Sequence, residues 1–261
     1  MQSPSPRAAN DAGPRADAAA LDGVEKRRYV REVFEQIAPT YDLLNHLLSF
    51  NVDRHWRRVA IGELRWERDP TGTYLDLCAG TLDVTTALAR TDGFAGRIVA
   101  ADFAEPMLRA GRSKPPVGSA LPVVGDALRL PLRDASVAGA IVAFGIRNVA
   151  GLDAALREVR RVLRPGGRFV ILEFTTPRSP LVHLVYHAYF HYVLPLIGGV
   201  VSGHRSAYRY LPRSVANFPR EEELAARLRR AGFADVTWRP LTLGIAAVHA
   251  ATRRPSAGDD G

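Results

Sequence analysis

Short runs of β-branched residues alternate with segments of helical pattern from Tyr74 onward, and this alternation constrains the fold more than any other feature. Strands and helices that alternate in this way form a mostly parallel sheet covered on both faces. Two further strand-like runs follow with only a turn between them, which predicts a closing hairpin. The sequence therefore predicts an α/β fold with a seven-stranded, mostly parallel sheet. Its strands are TYLDLC, GRIVAAD, LPVVGD, AGAIVAF, GRFVILEF, ADVTWRPL and GIAAVHAAT.

Helices are predicted between these strands and in front of the first one. A helix over Tyr29–Leu48, broken at Pro39, should form a cap over one edge of the sheet and not an independent domain. The helix before the fifth strand should stop at the turn sequence RPGG. The four helices predicted after the first strand are Val84–Arg90, Pro106–Gly111, Leu152–Leu163 and Arg220–Ala231.

The organisation of the chain is that of one domain with a tail at each end. Residues 1–25 are rich in Ala, Pro and charge and almost lack large apolar side chains, so burial cannot offset the entropy lost on ordering them. Residues 254–261 form a second, short tail. The domain, 26–253, divides into a helical cap, a cofactor-binding core, an insertion facing substrate or membrane, and a helix with the closing hairpin: 26–70, 71–175, 176–215 and 216–253.

The net charge of +8 and the pI of about 10.1 invite the hypothesis of a nucleic-acid partner. The arginines are scattered along helices beside acidic residues, however, and no compact basic block interleaved with aromatics is present. We therefore expect no nucleic acid, and the excess of arginine fits an anionic membrane surface at least as well. The single cysteine, Cys78, excludes an internal disulfide and fits a reducing cytoplasm.

One uncharged segment, Leu181–Val201, has the length of a membrane span. It also contains histidines, tyrosines, a proline and a glycine pair, whose polar groups are costly in hydrocarbon. We expect a buried or interfacial helix here. His183, His187 and His191 share one face of that helix, but neither a carboxylate nor a cysteine accompanies them, so we expect no metal site. The histidine stripe is interpreted as packing or as a surface for substrate or membrane.

The turn after the first strand, Asp76–Asp83, is the first candidate for ligand binding. An open parallel sheet binds its ligand beyond the carboxyl ends of its strands, where this turn is expected. Asp76 closes the strand, and Gly80 with its small neighbours lets a ligand approach the backbone. The turn lacks the G-x-G-x-x-G pattern of dinucleotide-binding proteins. Taken alone, it could equally be an ordinary tight turn.

Two further carboxylates follow the next two strands. Asp102 ends the second strand, where a carboxylate accepts hydrogen bonds from the two hydroxyls of an adenosine ribose. Asp126 follows the third strand, where it can accept from an adenine amino group with the Ala127 backbone beside it. Either aspartate alone could be a helix cap. Suitable residues at three successive strand ends, without a lysine loop for phosphate, favour S-adenosylmethionine over a nucleotide.

Four stretches of the chain resemble one family, the UbiE/MenG C-methyltransferases of ubiquinone and menaquinone biosynthesis. The resemblance extends over roughly Tyr29–Arg253 and implies a class I, Rossmann-like S-adenosylmethionine methyltransferase fold with an N-terminal helical cap. RVLRPGGR occurs throughout class I methyltransferases, whereas IAPTYDLLNHLLS, FGIRNV and YRYLPRSV are more particular to this family. The stretches begin at VFEQIAPTYDLLN, YLDLCAGTLDVTT, FGIRNVAGLDAAL and YRYLPRSVANFPR.

The resemblance also implies an activity, methyl transfer from S-adenosylmethionine to a ring carbon of a prenylated quinol. Demethylmenaquinol is the expected substrate, with a benzoquinol precursor of ubiquinone as the other option. The residues of the family that line the methyl donor fall here on Thr81, Asp102, Asp126 and Ala127.

The chain departs from the family pattern in the donor site. Ala79 and Leu82 stand where the family favours glycine, and Ala143 stands where it has a serine contact. A leucine at position 82 would be strained if its φ were positive. Either the turn tolerates this residue or the donor binds more weakly.

Arg147 is the first candidate for a polar group facing the quinol ring, since it follows the fourth strand beside the donor site. The resemblance implies that an arginine at this position orders a water molecule, which takes the phenolic proton of the ring. Arginine itself stays protonated and cannot act as the base. It could instead be a structural arginine that satisfies carbonyl groups. Asn148 could bind substrate or cap the next segment, and Tyr41 of the cap could close over the ring or pack within the cap.

The isoprenoid tail of such a substrate implies transient contact with the membrane through Leu181–Val201 and Leu43–Phe50. We therefore expect a cytoplasmic protein that docks on the inner face of the cell membrane, and a homodimer stays open. Two other readings stay open as well. One is another class I methyltransferase, acting on a small molecule or a phospholipid. The other is a non-catalytic, methyltransferase-like scaffold in a quinone-synthesis complex.

Overall fold

The computed structural model describes residues 23–37, 49, 51–116, 118–189 and 205–254. All seven predicted strands are present in this part of the chain, and they form one sheet in the order β3-β2-β1-β4-β5-β7-β6. Strands β1 to β5 pair in parallel, and β7 runs antiparallel to both of its neighbours, β5 and β6. The strands are β1 (Thr73–Leu77), β2 (Arg97–Asp102), β3 (Ala120–Val124), β4 (Val137–Ala143), β5 (Leu163–Phe174), β6 (Phe233–Leu241) and β7 (Ala246–Arg253).

The predicted seven-stranded, mostly parallel sheet with a C-terminal hairpin is therefore confirmed. The order of the strands reverses at β1, since β2 and β3 lie on one side of it and β4 and β5 on the other. In open α/β sheets, the loops at such a reversal diverge and leave a crevice beyond the carboxyl ends of the strands. The loops that follow β1 and β4 are thus the ones that border a ligand site.

The four helices predicted after the first strand are all present, and no end differs from the prediction by more than one residue, whereas the helix Arg205–Ala216 was not predicted. The first helix begins at Gly23, inside the range assigned to the tail, and ends at Ile37, ahead of Pro39. Residues 38–48, which include Tyr41, lie outside the described residues. The helices are α1 (Gly23–Ile37), α2 (Val52–Glu63), α3 (Asp83–Ala89), α4 (Glu105–Gly111), α5 (Leu152–Val162), α6 (Pro180–Ala188), α7 (Arg205–Ala216) and α8 (Glu221–Arg230).

Two apolar clusters cover the two faces of the sheet. Successive side chains of a strand point to opposite faces, so in β5 Phe169 and Ile171 join one cluster while Val170 and Leu172 join the other. The first cluster packs under α5 and α8, and the second under α2 and α3. Both faces are thus buried, as a parallel sheet requires, and the polar groups at the strand ends sit on a rigid base.

The predicted apolar helix at Leu181–Val201 is described only in its first part, as α6. Among the described residues, no helix is both long and apolar enough to cross a membrane. The rest of that segment lies outside the described residues, and so does His191.

Candidate active site

The turn between β1 and α3 has an unusual backbone. Cys78, Gly80 and Leu82 all have positive φ, at 54°, 52° and 65°. Glycine adopts this conformation freely, but leucine does so at a cost. The Leu82 side chain is fully buried against Ala100 and Leu108. Burial of a leucine contributes about 2 kcal/mol, which is enough to offset the strain of one such residue. The turn therefore tolerates the leucine that the sequence places there.

Asp76 anchors this turn from below. Because it alternates with Leu75 and Leu77 along β1, its side chain points to the α3 face, where one carboxylate oxygen accepts from the Thr85 N–H at 3.0 Å and from the Thr85 hydroxyl at 2.6 Å. Burial raises the pKa of Asp76 to about 7, against the lowering effect of the Thr85 hydrogen bonds. Asp76 is not among the residues that line the cleft described below. It acts on the turn and not through direct contact with the cleft.

Asp102 connects the β1 turn to the end of β2. One of its carboxylate oxygens accepts from the Gly80 N–H at 2.9 Å and the other from the Ala104 N–H at 2.8 Å. Burial raises the pKa of Asp102 in spite of these hydrogen bonds, which favour the charged form. A carboxylate oxygen can accept a second hydrogen bond. Asp102 is therefore a part of the scaffold that lines the cleft and can still accept a hydrogen bond from a ligand.

Asp126 and Ala127 follow β3 on the same edge. One oxygen of Asp126 accepts from the Leu128 N–H at 2.9 Å, and the other pairs with Nη1 of Arg27 at 2.9 Å. The Asp126 side chain is 37% exposed, so this ion pair lies at the mouth of the site. The Ala127 side chain is buried in the core beneath it.

These elements enclose a cleft of about 520 Å³ at the reversal of strand order. A cleft of this size is in the range that holds a small-molecule ligand. Thr81 and Arg147 are not among its lining residues, and Thr81 is buried beneath the turn. Of the residues predicted from the sequence, the cleft brings together Gly80, Asp102, Asp126, Ala127 and Asn148.

Helix α1 forms the cover of the cleft, a role that was not predicted for its residues. Arg27, Arg28, Arg31 and Phe34 line the cleft. Arg31 donates from Nη2 to the Phe103 carbonyl at 3.1 Å. The signal for this face was the spacing of these residues at three and four positions, although Arg27 and Arg28 precede the predicted start of the cap helix at Tyr29. Without knowledge of where the cap lies, that spacing is indistinguishable from a solvent-facing charged stripe.

The segment after β4 forms the opposite wall. Phe144 has φ of 60°, and Ala143, Phe144 and Gly145 line the cleft. Arg147 does not face the cleft directly. Its Nη1 donates to the Phe144 carbonyl and to Oε1 of Glu173 at 2.6 Å, and its Nε donates to the Ser214 hydroxyl at 3.3 Å. Arg147 thus donates hydrogen bonds to a carbonyl group and a carboxylate at this turn. Its role toward the quinol ring stays a prediction.

Asn148 connects the turn after β4 to α7 and, through α7, to α1. Its side-chain oxygen accepts from the Tyr210 hydroxyl at 3.1 Å, and Tyr210 on α7 packs against Tyr29 on α1 with ring centroids 5.6 Å apart. Burial raises the pKa of Tyr210 to about 12, so its hydroxyl stays protonated and able to donate. The predicted cap and the predicted insertion therefore meet above Asn148. This contact joins positions far apart in the chain, and sequence patterns carry no signal for it.

The histidine stripe is described in part. His183 and His187 lie on α6, are exposed, and have ring centroids 6.2 Å apart. Within the described ranges, no group of three or more histidine, cysteine or acidic side chains is close enough to hold a metal ion.

Comparison with known proteins identifies the family. A family model described as the ubiE/COQ5 methyltransferase family matches residues 22–253. The chain is 44% identical over 229 residues to the ubiquinone/menaquinone biosynthesis C-methyltransferase UbiE of Geobacter sulfurreducens, which covers 86% of this chain and 88% of that protein. It is 46% identical over 224 residues to the demethylmenaquinone methyltransferase of Thermus thermophilus, which covers 85% of this chain and all of that protein.

The fold is also that of solved methyltransferases. An S-adenosylmethionine-dependent methyltransferase of Thermotoga maritima, described as a possible histamine N-methyltransferase, superposes with a TM-score of 0.59 at 18% identity. The match covers 86% of this chain and all of that one. At this identity, the likeness bears on the fold alone. The match of the family model over residues 22–253 shows that this protein belongs to the ubiE/COQ5 methyltransferase family.

Proposed function

We propose that this chain transfers the methyl group of S-adenosylmethionine to a ring carbon of a prenylated quinol, with demethylmenaquinol as its substrate. The observation that carries the proposal is the cleft at the strand reversal, where Gly80, Asp102 and Asp126 converge from three successive strand ends. The substrate named for the Thermus relative, at 46% identity, supports the choice of demethylmenaquinol.

The residues of the cleft fit the donor. Asp102 offers two acceptor positions of the kind that a ribose diol requires, and Asp126 offers one for an adenine amino group. Gly80 lines the cleft without a side chain, so a ligand can approach its backbone. Bound S-adenosylmethionine supplies a methyl group already activated on a sulfonium centre. For Asp126 to accept from the adenine amino group of the donor, the Arg27–Asp126 ion pair would have to loosen.

The chain then has three tasks in the reaction. Binding residues must hold the ring carbon and the methyl group at near-attack distance, and α1 must keep water out of the cleft. A quinol hydroxyl proton must also be removed or shared so that the ring becomes electron-rich, and the hydrogen on the methylated carbon must leave as a proton, so a positioned polar group is needed. Asn148 lines the cleft and is the described residue placed to orient the ring, with Arg147 behind it. Tyr41 stays a prediction, because it lies outside the described residues.

Contact with the membrane belongs to this proposal. Leu181 and Leu184 of α6 are 71% and 66% exposed, which is unusual for leucine and suits shallow insertion. The net charge of +8 favours an anionic lipid surface. We place the protein in the cytoplasm, on the inner face of the membrane, where a prenylated quinol can reach the cleft.

A flotation assay tests the membrane contact. Wild type should float with liposomes that contain anionic lipid, and Leu181→Asp/Leu184→Asp should reduce the bound fraction roughly tenfold, since two apolar side chains no longer insert. Leu121→Asp is the matched control, because Leu121 is also exposed but lies on β3. Wild type that does not float with the liposomes, or an equal loss of liposome binding in the control variant, would contradict the membrane contact.

Methyl transfer tests the function itself. Purified protein is incubated with donor labelled in its methyl group and with demethylmenaquinol or the benzoquinol precursor, and the products are identified by mass spectrometry. We expect label on the ring carbon of the naphthoquinol, and no transfer by Asp102→Ala. Asp134→Ala, which removes an exposed carboxylate outside the cleft, should keep full activity. Absence of label from both quinols would reject the proposal, and label on the benzoquinol alone would change the substrate.

A further inference from the structure

We propose that Glu173 is a positioning residue for methyl transfer, which holds Arg147 and with it the Phe144–Asn148 turn in the arrangement that the reaction requires. This inference rests on the proposed function. Glu173 comes at the end of β5, next to β4 in the sheet, and its side chain is 2% exposed. Neither the family motifs nor the strand-end pattern singled it out.

Glu173 holds both the backbone and the side chain of Arg147. Its Oε1 pairs with Nη1 of Arg147 at 2.6 Å, and its Oε2 accepts from the Arg147 N–H at 3.4 Å. The same Oε1 accepts from the Phe174 N–H at 2.9 Å, which fixes the carboxylate to its own strand. A buried carboxylate with these contacts clamps the turn after β4 to the end of β5.

The clamp extends from Arg147 to the wall of the cleft. Arg147 in turn donates to the Phe144 carbonyl, and its guanidinium lies 5.6 Å from the centroid of the Phe174 ring. Phe144 has a positive φ and lines the cleft, and Asn148, four residues further along the chain, also lines it. A turn with unfavourable backbone angles persists only when the surrounding structure holds it in that conformation. Loss of the charge at position 173 would leave Arg147 buried and uncompensated, so the turn would shift.

The groups around Glu173 set its response to pH. Arg147 faces it from the turn after β4, Cys78 from the turn after β1, Tyr186 from α6 and Tyr210 from α7. Burial raises the pKa of Glu173, while the Arg147 charge and the N–H donors oppose that rise. Only the ionised form compensates Arg147. Methyl transfer should therefore fall as the pH drops through the pKa of Glu173.

Four proteins test the inference: wild type, Glu173→Gln, Arg147→Ala and the double variant. Glu173→Gln should lower kcat about 100-fold, the scale of a misplacement near the reacting groups, with KM for the donor within about threefold. The double variant should be no slower than Arg147→Ala, because Glu173 acts only through Arg147. The acid limb of the wild-type kcat profile should be absent from Glu173→Gln. Glu158→Gln, which disturbs the Glu158–Arg161 pair within α5, should keep kcat within about twofold.

The opposite outcomes overturn it. Unchanged kcat in Glu173→Gln, multiplying losses in the double variant, or an acid limb that survives in Glu173→Gln would each do so. If Glu173→Gln does not fold, Glu173→Asp decides, since a retained charge should keep the fold and the acid limb while kcat falls. If wild type transfers no methyl group to either quinol, the proposed function fails and this inference with it. Active wild type with the results above reversed rejects only the role of Glu173.

Discussion

On the proposed donor side of the cleft, Asp102 and Asp126 each accept a hydrogen bond from a main-chain N–H two residues further along the chain. On the ring side, Arg147 and Asn148 are held by side chains 26 to 67 residues away, on β5 and α7. The donor side is therefore held largely by main-chain N–H groups at the strand ends, to which the Gly80 N–H and the Arg27 side chain add contacts from elsewhere in the chain. The ring side depends on how distant elements pack. A donor-binding scaffold of this kind can stay constant while the ring side changes with the substrate.

The two sides touch at Gly145, and the largest effect is expected there. A methyl group at this position would lie 2.3 Å from Cβ of Cys78 in the donor turn, so one of the two turns must shift. Gly145→Ala should lower the free energy of unfolding by about 3 kcal/mol, measured by urea denaturation. Gly62→Ala in α2, where a methyl group meets nothing within 4 Å, should leave stability unchanged or raise it slightly. Equal stabilities of the two variants would mean that the sides are not in contact.

Leu82 allows a test of backbone strain against burial within the turn after β1. Glycine at this position relieves a φ of 65°, worth about 1–2 kcal/mol, but removes a fully buried side chain, which costs about 2–5 kcal/mol. Leu82→Gly should therefore lower the free energy of unfolding by about 2 kcal/mol. A variant more stable than wild type in the same urea measurement would show that strain dominates. In that case the leucine would weaken the donor turn.

Asp76 gives a smaller effect that depends on pH. Its pKa is about 7 in the folded protein because of burial, and about 3.9 in the unfolded chain. The folded state thus binds the proton more tightly, and the stability that this contributes is complete below pH 4 and is lost as the pH rises through 7. Asp76→Asn should lack this loss, so its stability relative to wild type should rise by at least about 1 kcal/mol from pH 4 to pH 8. Urea midpoints taken across that range check it, and a constant difference would contradict it.

Much of the donor side could be predicted from the sequence. Asp102, Asp126 and Gly80 follow or end β-branched runs, and the parallel pairing of those runs brings their ends to one edge of the sheet. Strand period and topology were sufficient for that step. Asp76 could be placed at the strand end, but its side chain serves Thr85 and not the cleft, because alternation along β1 turns it to the α3 face.

The ring side could be predicted only in part. Arg147 and Asn148 were found through the FGIRN motif, but the motif does not contain Glu173, Ser214 or Tyr210. Those partners follow from the packing of β5 and α7, which no local pattern encodes. The cover formed by Arg27 and Arg31 was missed for the same reason, since the position of α1 over the cleft is a tertiary contact.

Calorimetric titration of S-adenosylmethionine tests the separation of the two sides most directly. The account predicts that Asp102→Ala weakens donor binding at least 100-fold, because its acceptor positions and its hold on Gly80 are lost together. It also predicts that Arg147→Ala binds the donor within about threefold of wild type while it loses methyl transfer. Donor binding that survives in Asp102→Ala, or that is lost in Arg147→Ala, would contradict the division between a donor side and a ring side.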